Sequence, residues 1–277
     1  MLTLTNNSYS KIIIGIFCLM LIWWAYITAN SLKDITINFL YGAALGVLPV
    51  VGSIFGFINA IKWGSFKSDI GKALIFLSIG LMTWGIGTLI FAYYNLFLEV
   101  AVPYPSVADA FYIISWPLWV ISMINLSRAT GARFQLSNTI GRLTLLIVPL
   151  LIIALSYYLL IIVAREGMFE ISGDFLKTFF DLAYPIGDVV ILTIAILIYG
   201  LSFKYLGGSF KWPIIIILAG FVMNYISDFS FSYTTTKETF FVASWIDLIF
   251  TITFFLLSLG VSLIEPSLIH NKNKENL

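Results

Sequence analysis

The sequence predicts an all-α fold, a polytopic membrane bundle of eight transmembrane helices. Three observations carry that prediction. Of the 277 residues, 60% are hydrophobic and only 10% are charged, where a soluble domain has about 25% charged residues. The apolar residues fall into eight runs, each about 20 residues long, the length a helix needs to cross a bilayer core of roughly 30 Å. Short polar segments separate the runs and hold the lysines and arginines.

In chain order the predicted spans are about 11–29, 37–61, 72–97 and 107–127, then 142–164, 176–202, 212–234 and 241–264. The first follows the polar stretch Thr5 to Lys11, contains Trp23 and Trp24 and has no small-x-small cleavage pattern, so it reads as a retained helix. Lys11, Lys62, Lys67, Lys72, Arg128, Arg133, Arg142, Lys204, Lys211, Lys272 and Lys274 fall on one side of the membrane. Lys33, Arg165, Lys177 and Lys237 fall on the other. By the positive-inside rule both termini are expected in the cytoplasm of a plasma-membrane protein. The loops on the outward side carry Glu99, Glu166, Glu170, Asp174 and Glu238. No segment between spans is long enough for a soluble domain, so residues 1–277 read as one membrane domain. The polar tail, 266–277, is expected to be disordered.

Spans three and four echo spans seven and eight. Gly80, Phe91 and Tyr93 align with Gly220, Phe231 and Tyr233 at an offset of 140 residues. Ser106, Asp109 and Tyr112 align with Ser244, Asp247 and Phe250 at an offset of 138. Four helices per half keep the halves in the same orientation, so a parallel repeat is expected, with halves about 1–130 and 140–265.

Composition excludes several chemistries. The net charge is +1, which implies no nucleic-acid partner. The one histidine, His270, lies in the tail, so no bis-histidine haem, histidine zinc site or Ser-His-Asp triad is built within the spans. No cofactor and no metal is expected. No lysine lies mid-span to form a retinal Schiff base. Cys18, the one cysteine, reads as a small buried apolar residue.

What remains is a set of intramembrane carboxylates. Asp181, Tyr184 and Asp188 share one helical face in span six at i, i+3 and i+7, around Pro185. Asn224 and Asp228 lie in span seven. An ionisable group inside a span is costly and marks a functional site by default. These five residues are the candidate ligand-binding set, in an acidic, aromatic pocket open to the outside. Asp109 and Asp247 fit instead the N3 position of a helix capped by Ser106 or Ser244. Carboxylates and aromatic faces together suit a cation or an amine.

Pro103-Tyr-Pro-Ser-Val-Ala-Asp-Ala-Phe-Tyr112 and Tyr184-Pro-Ile-Gly-Asp188 resemble the multi-pass N-terminal membrane segments of some bacterial diguanylate cyclases and sensor histidine kinases. The similarity runs from about span two to span eight, and departs where Gly87-Thr88 stands in place of Gly-Asp. It implies a sensor-type module for a small or lipidic ligand, with membrane lipids around it. No output domain is seen in the chain, so a separate signalling protein is the expected partner. Gly187-Asp188 and Ser227-Asp228 are similar to lysoplasmalogenase-like membrane hydrolases, which implies Asp188 and Asp228 as catalytic acids. The repeat and the midplane acids also suit a cation or amine transporter.

Overall fold

The computed structural model describes residues 7–130, 139–164, 166–167, 175–202 and 211–266. The described residues are 85% helical, with no strand among them. The helices are α1 (Ser8–Ala29), α2 (Thr36–Lys62), α3 (Asp69–Leu96), α4 (Val107–Ala129), α5 (Thr139–Ser156), α6 (Phe175–Ser202), α7 (Lys211–Thr236) and α8 (Trp245–Leu263). A π-helical stretch, Tyr157–Val163, prolongs α5. All eight are long and apolar enough to cross a membrane, and the chain is a multi-pass membrane protein. Arg133, Arg165, Glu170, Asp174, Lys204 and the tail from 267 on, His270 included, lie outside the described residues.

Most predicted ends agree with the helices to within three residues. The largest difference is at α8, which starts at Trp245 rather than near 241. There Ala243 turns the chain with φ 65° and Ser244 takes the N-cap position. Pro49, Pro117, Pro149 and Pro185 all lie inside continuous helices.

Six helices form a closed ring. α2 packs on α3, α3 on α4, α4 on α6, α6 on α7, α7 on α8, and α8 returns to α2. α1 lies outside against α2 and α8, and α5 lies outside against α6. Burial follows this plan: 67% of the apolar window of α8 is buried, against 17% for α1 and for the helix made by α5 and its extension. Cys18 is therefore exposed on α1, not buried as the sequence suggests. Its helix is peripheral, and no other helix among the described residues covers that side of it.

Aromatic rings fill the inside of the six-helix ring. The Trp84 indole lies 5.4 Å from Trp119 and 5.5 Å from Phe254, and Trp119 lies 5.5 Å from Phe221. Where Ile70 and Ile264 meet Leu126 and Ile217, a cavity of about 10 Å³ is left, roughly the room of one water. Elsewhere the helices close up on small residues. At Gly46 and Gly85 the backbones of α2 and α3 touch: an added Cβ at 46 would come within 2.9 Å of the Gly85 carbonyl oxygen.

Side chains of α1 and α2 hold both ends of α8. At its start, Trp24 Nε1 donates to Ser244 O (3.1 Å) and Asn38 Nδ2 to Val242 O (3.0 Å). At its end, Asn59 Nδ2 donates to Val261 O (2.9 Å) and Ser262 O (3.1 Å), and Asn7 Nδ2 to Ser262 O (2.6 Å). Trp63 Nε1 caps Ile264 O (3.1 Å), and Lys62 pairs with Glu265 at 2.6 Å. At the C-terminal end, the carbonyls of Val261 and Ser262 are ones that the helix itself cannot satisfy. Asn59→Ala is expected to lower stability by about 1 kcal/mol. Asn30→Ala, which removes an exposed bond to Tyr26 O, is expected to change it by less than about 0.5 kcal/mol. Thermal melting of the purified variants in detergent checks the difference.

Candidate functional site: a carboxyl pair inside the helix ring

The polar residues of α4, α6, α7 and α8 form two layers. The first lies at the N-terminal ends of α4 and α8. Asp109 is the third residue of α4, and its Oδ2 accepts from the Ser106 backbone N–H (2.7 Å) and from the Ser106 hydroxyl (2.9 Å). This is a capping box, as the Ser-x-x-Asp spacing suggests. Asp247 does the related task on α8, where its Oδ2 accepts from the Ala243 N–H at 2.6 Å.

Asp109 has a second task that the sequence does not reveal. Its Oδ1 accepts the Tyr184 hydroxyl at 2.8 Å, which ties α6 to the start of α4. Beside it, the Tyr104 hydroxyl donates to Asp181 Oδ1 at 2.8 Å. Asp181 and Tyr184 therefore both face the segment that leads into α4.

The second layer lies one to two turns further along α6. Asp188 is only 4% exposed. Its carboxyl lies near that of Asp228 on α7, close enough for the two acids to interact directly. Asn224, 2% exposed and one turn away on α7, donates Nδ2 to Asp228 Oδ2 at 2.7 Å. Asp188 Oδ1 and Asn224 Oδ1 are buried and have no hydrogen-bond partner in the protein. No lysine or arginine lies in the middle of any span to balance the two acids. Two carboxyl groups in contact in such a place repel unless a proton or a cation lies between them.

The five candidate residues thus divide. Asp188, Asn224 and Asp228 come together, while Asp181 and Tyr184 form a separate layer above them against α4. Asp109 joins that upper layer, although its spacing suggests only a cap. Tyr112, whose hydroxyl lies 3.4 Å from Thr88 Oγ1, is within electrostatic reach of Asp109, Asp228 and Asp247, between the layers. Tyr225 donates its hydroxyl to Ser156 Oγ (2.9 Å) on α5 and is within electrostatic reach of Asp188. Neither the Ser156 contact nor the Tyr184–Asp109 bond has a local sequence signal, because each joins residues about 70 positions apart.

The wall beside the pair is tightly built. Trp116 of α4 lies flat against Gly187, where an added Cβ would fall 1.1 Å from Trp116 Cε3. The same indole meets the Tyr184 ring edge-on at 5.9 Å. Only glycine fits at 187, so Gly187-Asp188 works as a unit: one residue admits the indole and the next presents the acid.

Comparison with protein-family models, with curated proteins and with solved structures finds no match. The site is therefore read from its own geometry. Gly187→Ala is expected to destabilise the protein by about 1–3 kcal/mol through overpacking against Trp116. Adding Trp116→Phe, which shrinks the ring, is expected to restore part of that loss. Melting curves of the two single variants and the double variant check this.

Proposed function

We propose that the chain is a sensor-type membrane module that binds a small or lipidic ligand inside the helix ring, at Asp188, Asp228 and Asn224. The observation that carries the reading is the buried Asp188 carboxyl beside the half-buried Asp228, with Asp188 Oδ1 and Asn224 Oδ1 unpartnered. Most buried polar groups find partners, and at the structural clamps of Asn38 and Asn59 only the amide oxygens are left over while no carboxylate is involved. The Asp188 cluster leaves buried acceptors with no protein donor, a carboxylate oxygen among them, and that favours a binding site. Asp181 and Tyr184, tied to Tyr104 and Asp109, form the rim through which the ligand enters.

The reading includes two parallel four-helix repeats, with both termini in the cytoplasm of the plasma membrane and the rim outside. The ring of contacts supports the repeat: α2–α3, α3–α4 and α4–α6 have counterparts in α6–α7, α7–α8 and α8–α2. Gly80 packs on Trp119 and Gly220 on Leu257, at the same offsets of 140 and 138 as the aligned sequence. Tyr184 of α6 reaches Asp109 of α4, while Tyr41 of α2 reaches Thr251 Oγ1 beside Asp247 of α8. The lysine and arginine bias supports the orientation. The halves differ where the ligand binds. Asn224 and Asp228 stand where the first half has Trp84 and Thr88, so one half holds the site and the other is filled with rings. Occupancy of the site is passed on to a separate signalling protein.

A second reading has one specific observation in its favour. Two carboxyls in contact can share a proton and activate water, which suits an intramembrane hydrolase of lysolipids using Asp188 and Asp228.

The test is a melting-temperature screen of the detergent-purified protein beside Asp188→Asn and Asp228→Asn. The panel holds inorganic cations, amines and lysolipids, with each lysolipid also assayed for breakdown. The sensor reading expects a ligand that stabilises wild type by several degrees, stabilises neither variant and is not consumed. Breakdown of a lysolipid lost in Asp188→Asn would transfer the site to the hydrolase. Variants that are less stable, with no ligand shifting wild type, would remove the site.

A further inference from the structure

The donor set at the pair narrows the ligand class, given the site reading above. We propose that Asp188, Asp228 and Asn224 bind a small, largely dehydrated monovalent cation of the size of Na⁺.

The argument begins with the atoms. Asn224 gives its amide N–H to Asp228 Oδ2 at 2.7 Å, which commits its Oδ1 as an acceptor at the same cluster. Asp188 Oδ1 is a second acceptor, and both are buried without a protein donor. A proton shared between the two carboxyls still leaves Asn224 Oδ1 without a donor. A cation coordinated by them satisfies both at once.

The chemistry of the donors then restricts the ion. All are hard oxygens, and among the described residues no cluster of three or more His, Cys, Asp or Glu gathers to hold a metal. Transition metals, which favour nitrogen and sulfur, are poorly served. Calcium takes six to eight oxygens. The cluster has at most five side-chain oxygens, two from each carboxyl and one from the amide, and Asp228 Oδ2 is already engaged. Magnesium keeps several waters and needs room for them. A monovalent ion with one shared proton leaves the cluster electrically neutral, as burial in an apolar bundle requires.

Packing favours a small ion. The Trp116 indole fills the volume against Gly187, next to Asp188 in the chain. Tyr225, held by Ser156, is within electrostatic reach of Asp188. So tight a wall leaves little room for an organic ammonium group with its substituents.

The test uses the whole purified chain in detergent at fixed ionic strength. Melting is compared in choline chloride, NaCl, KCl, MgCl₂ and CaCl₂, and ²²Na⁺ binding is measured directly on wild type. NaCl is expected to raise the melting temperature saturably, by roughly 5 °C over choline chloride. ²²Na⁺ is expected to bind at one ion per chain and to be displaced by unlabelled NaCl. Asp228→Asn and Asn224→Leu are expected to lose that increment. Equal melting in NaCl and choline chloride, with no saturable ²²Na⁺ binding to wild type, would overturn the proposal whether or not the variants fold. Saturation by CaCl₂ or MgCl₂ instead of NaCl would also overturn it. If an amine or a lysolipid then stabilised wild type but not Asp188→Asn, the site would stand without the sodium assignment. If nothing did, both would fall.

Discussion

Two carboxyl groups held in contact at the heart of an apolar bundle constrain everything around them. An acid at the centre of a span costs roughly 2.5–3.5 kcal/mol on insertion scales. Asp188 and Asp228 must therefore lie inside the helix ring, and α6 and α7 must be neighbours. Trp116 closes the wall only because residue 187 has no side chain. Asn224 orients one acid, and Tyr225, fixed by Ser156, is within electrostatic reach of the other. The α4 end of the site is held by the Tyr184–Asp109 and Tyr104–Asp181 bonds.

The membrane-spanning architecture was legible because it depends on length and hydropathy alone. The bilayer demands about 20 apolar residues per helix, and the chain shows them without interruption. The capping box of Ser106 and Asp109 was also legible, since Ser-x-x-Asp is a local pattern, whereas at α8 Asp247 reaches Ala243 N–H and the Ser244 hydroxyl makes no cap. Other features depend on which helix is beside which. Asp181, Tyr184 and Asp188 do share a helical stripe. Yet α6 sits at a junction between α4 and α7, so the stripe is divided: its first two members meet α4 and its last meets α7. Cys18 looks like a core residue in composition, and only the outer position of α1 puts it at the surface. The indole on Gly187 is a pairing between distant segments that no periodicity encodes.

In the proposed repeat, the two halves of the ring use one plan for different ends. Around Trp84, Tyr112 and Trp119 the first half is packed with rings, a rigid wall that tolerates little change. The second half puts Asn224 and Asp228 at the aligned positions and turns the same place into a polar site. α8, clamped at both ends by α1 and α2, joins the two. On the proposed reading a ligand would act on the ring between α6 and α7, and α8 is the neighbour through which α7 meets α2.

The central claim is that Asp188 and Asp228 act as one group. A double-mutant cycle of Asp188→Leu and Asp228→Leu, read as unfolding free energy in detergent, tests it most directly. Each single change leaves one buried carboxyl without its partner, while the double change removes both. The account predicts that the double variant is more stable than the sum of the single losses by about 1 kcal/mol or more. Losses that simply add would mean that the two acids do not meet, and would contradict the account.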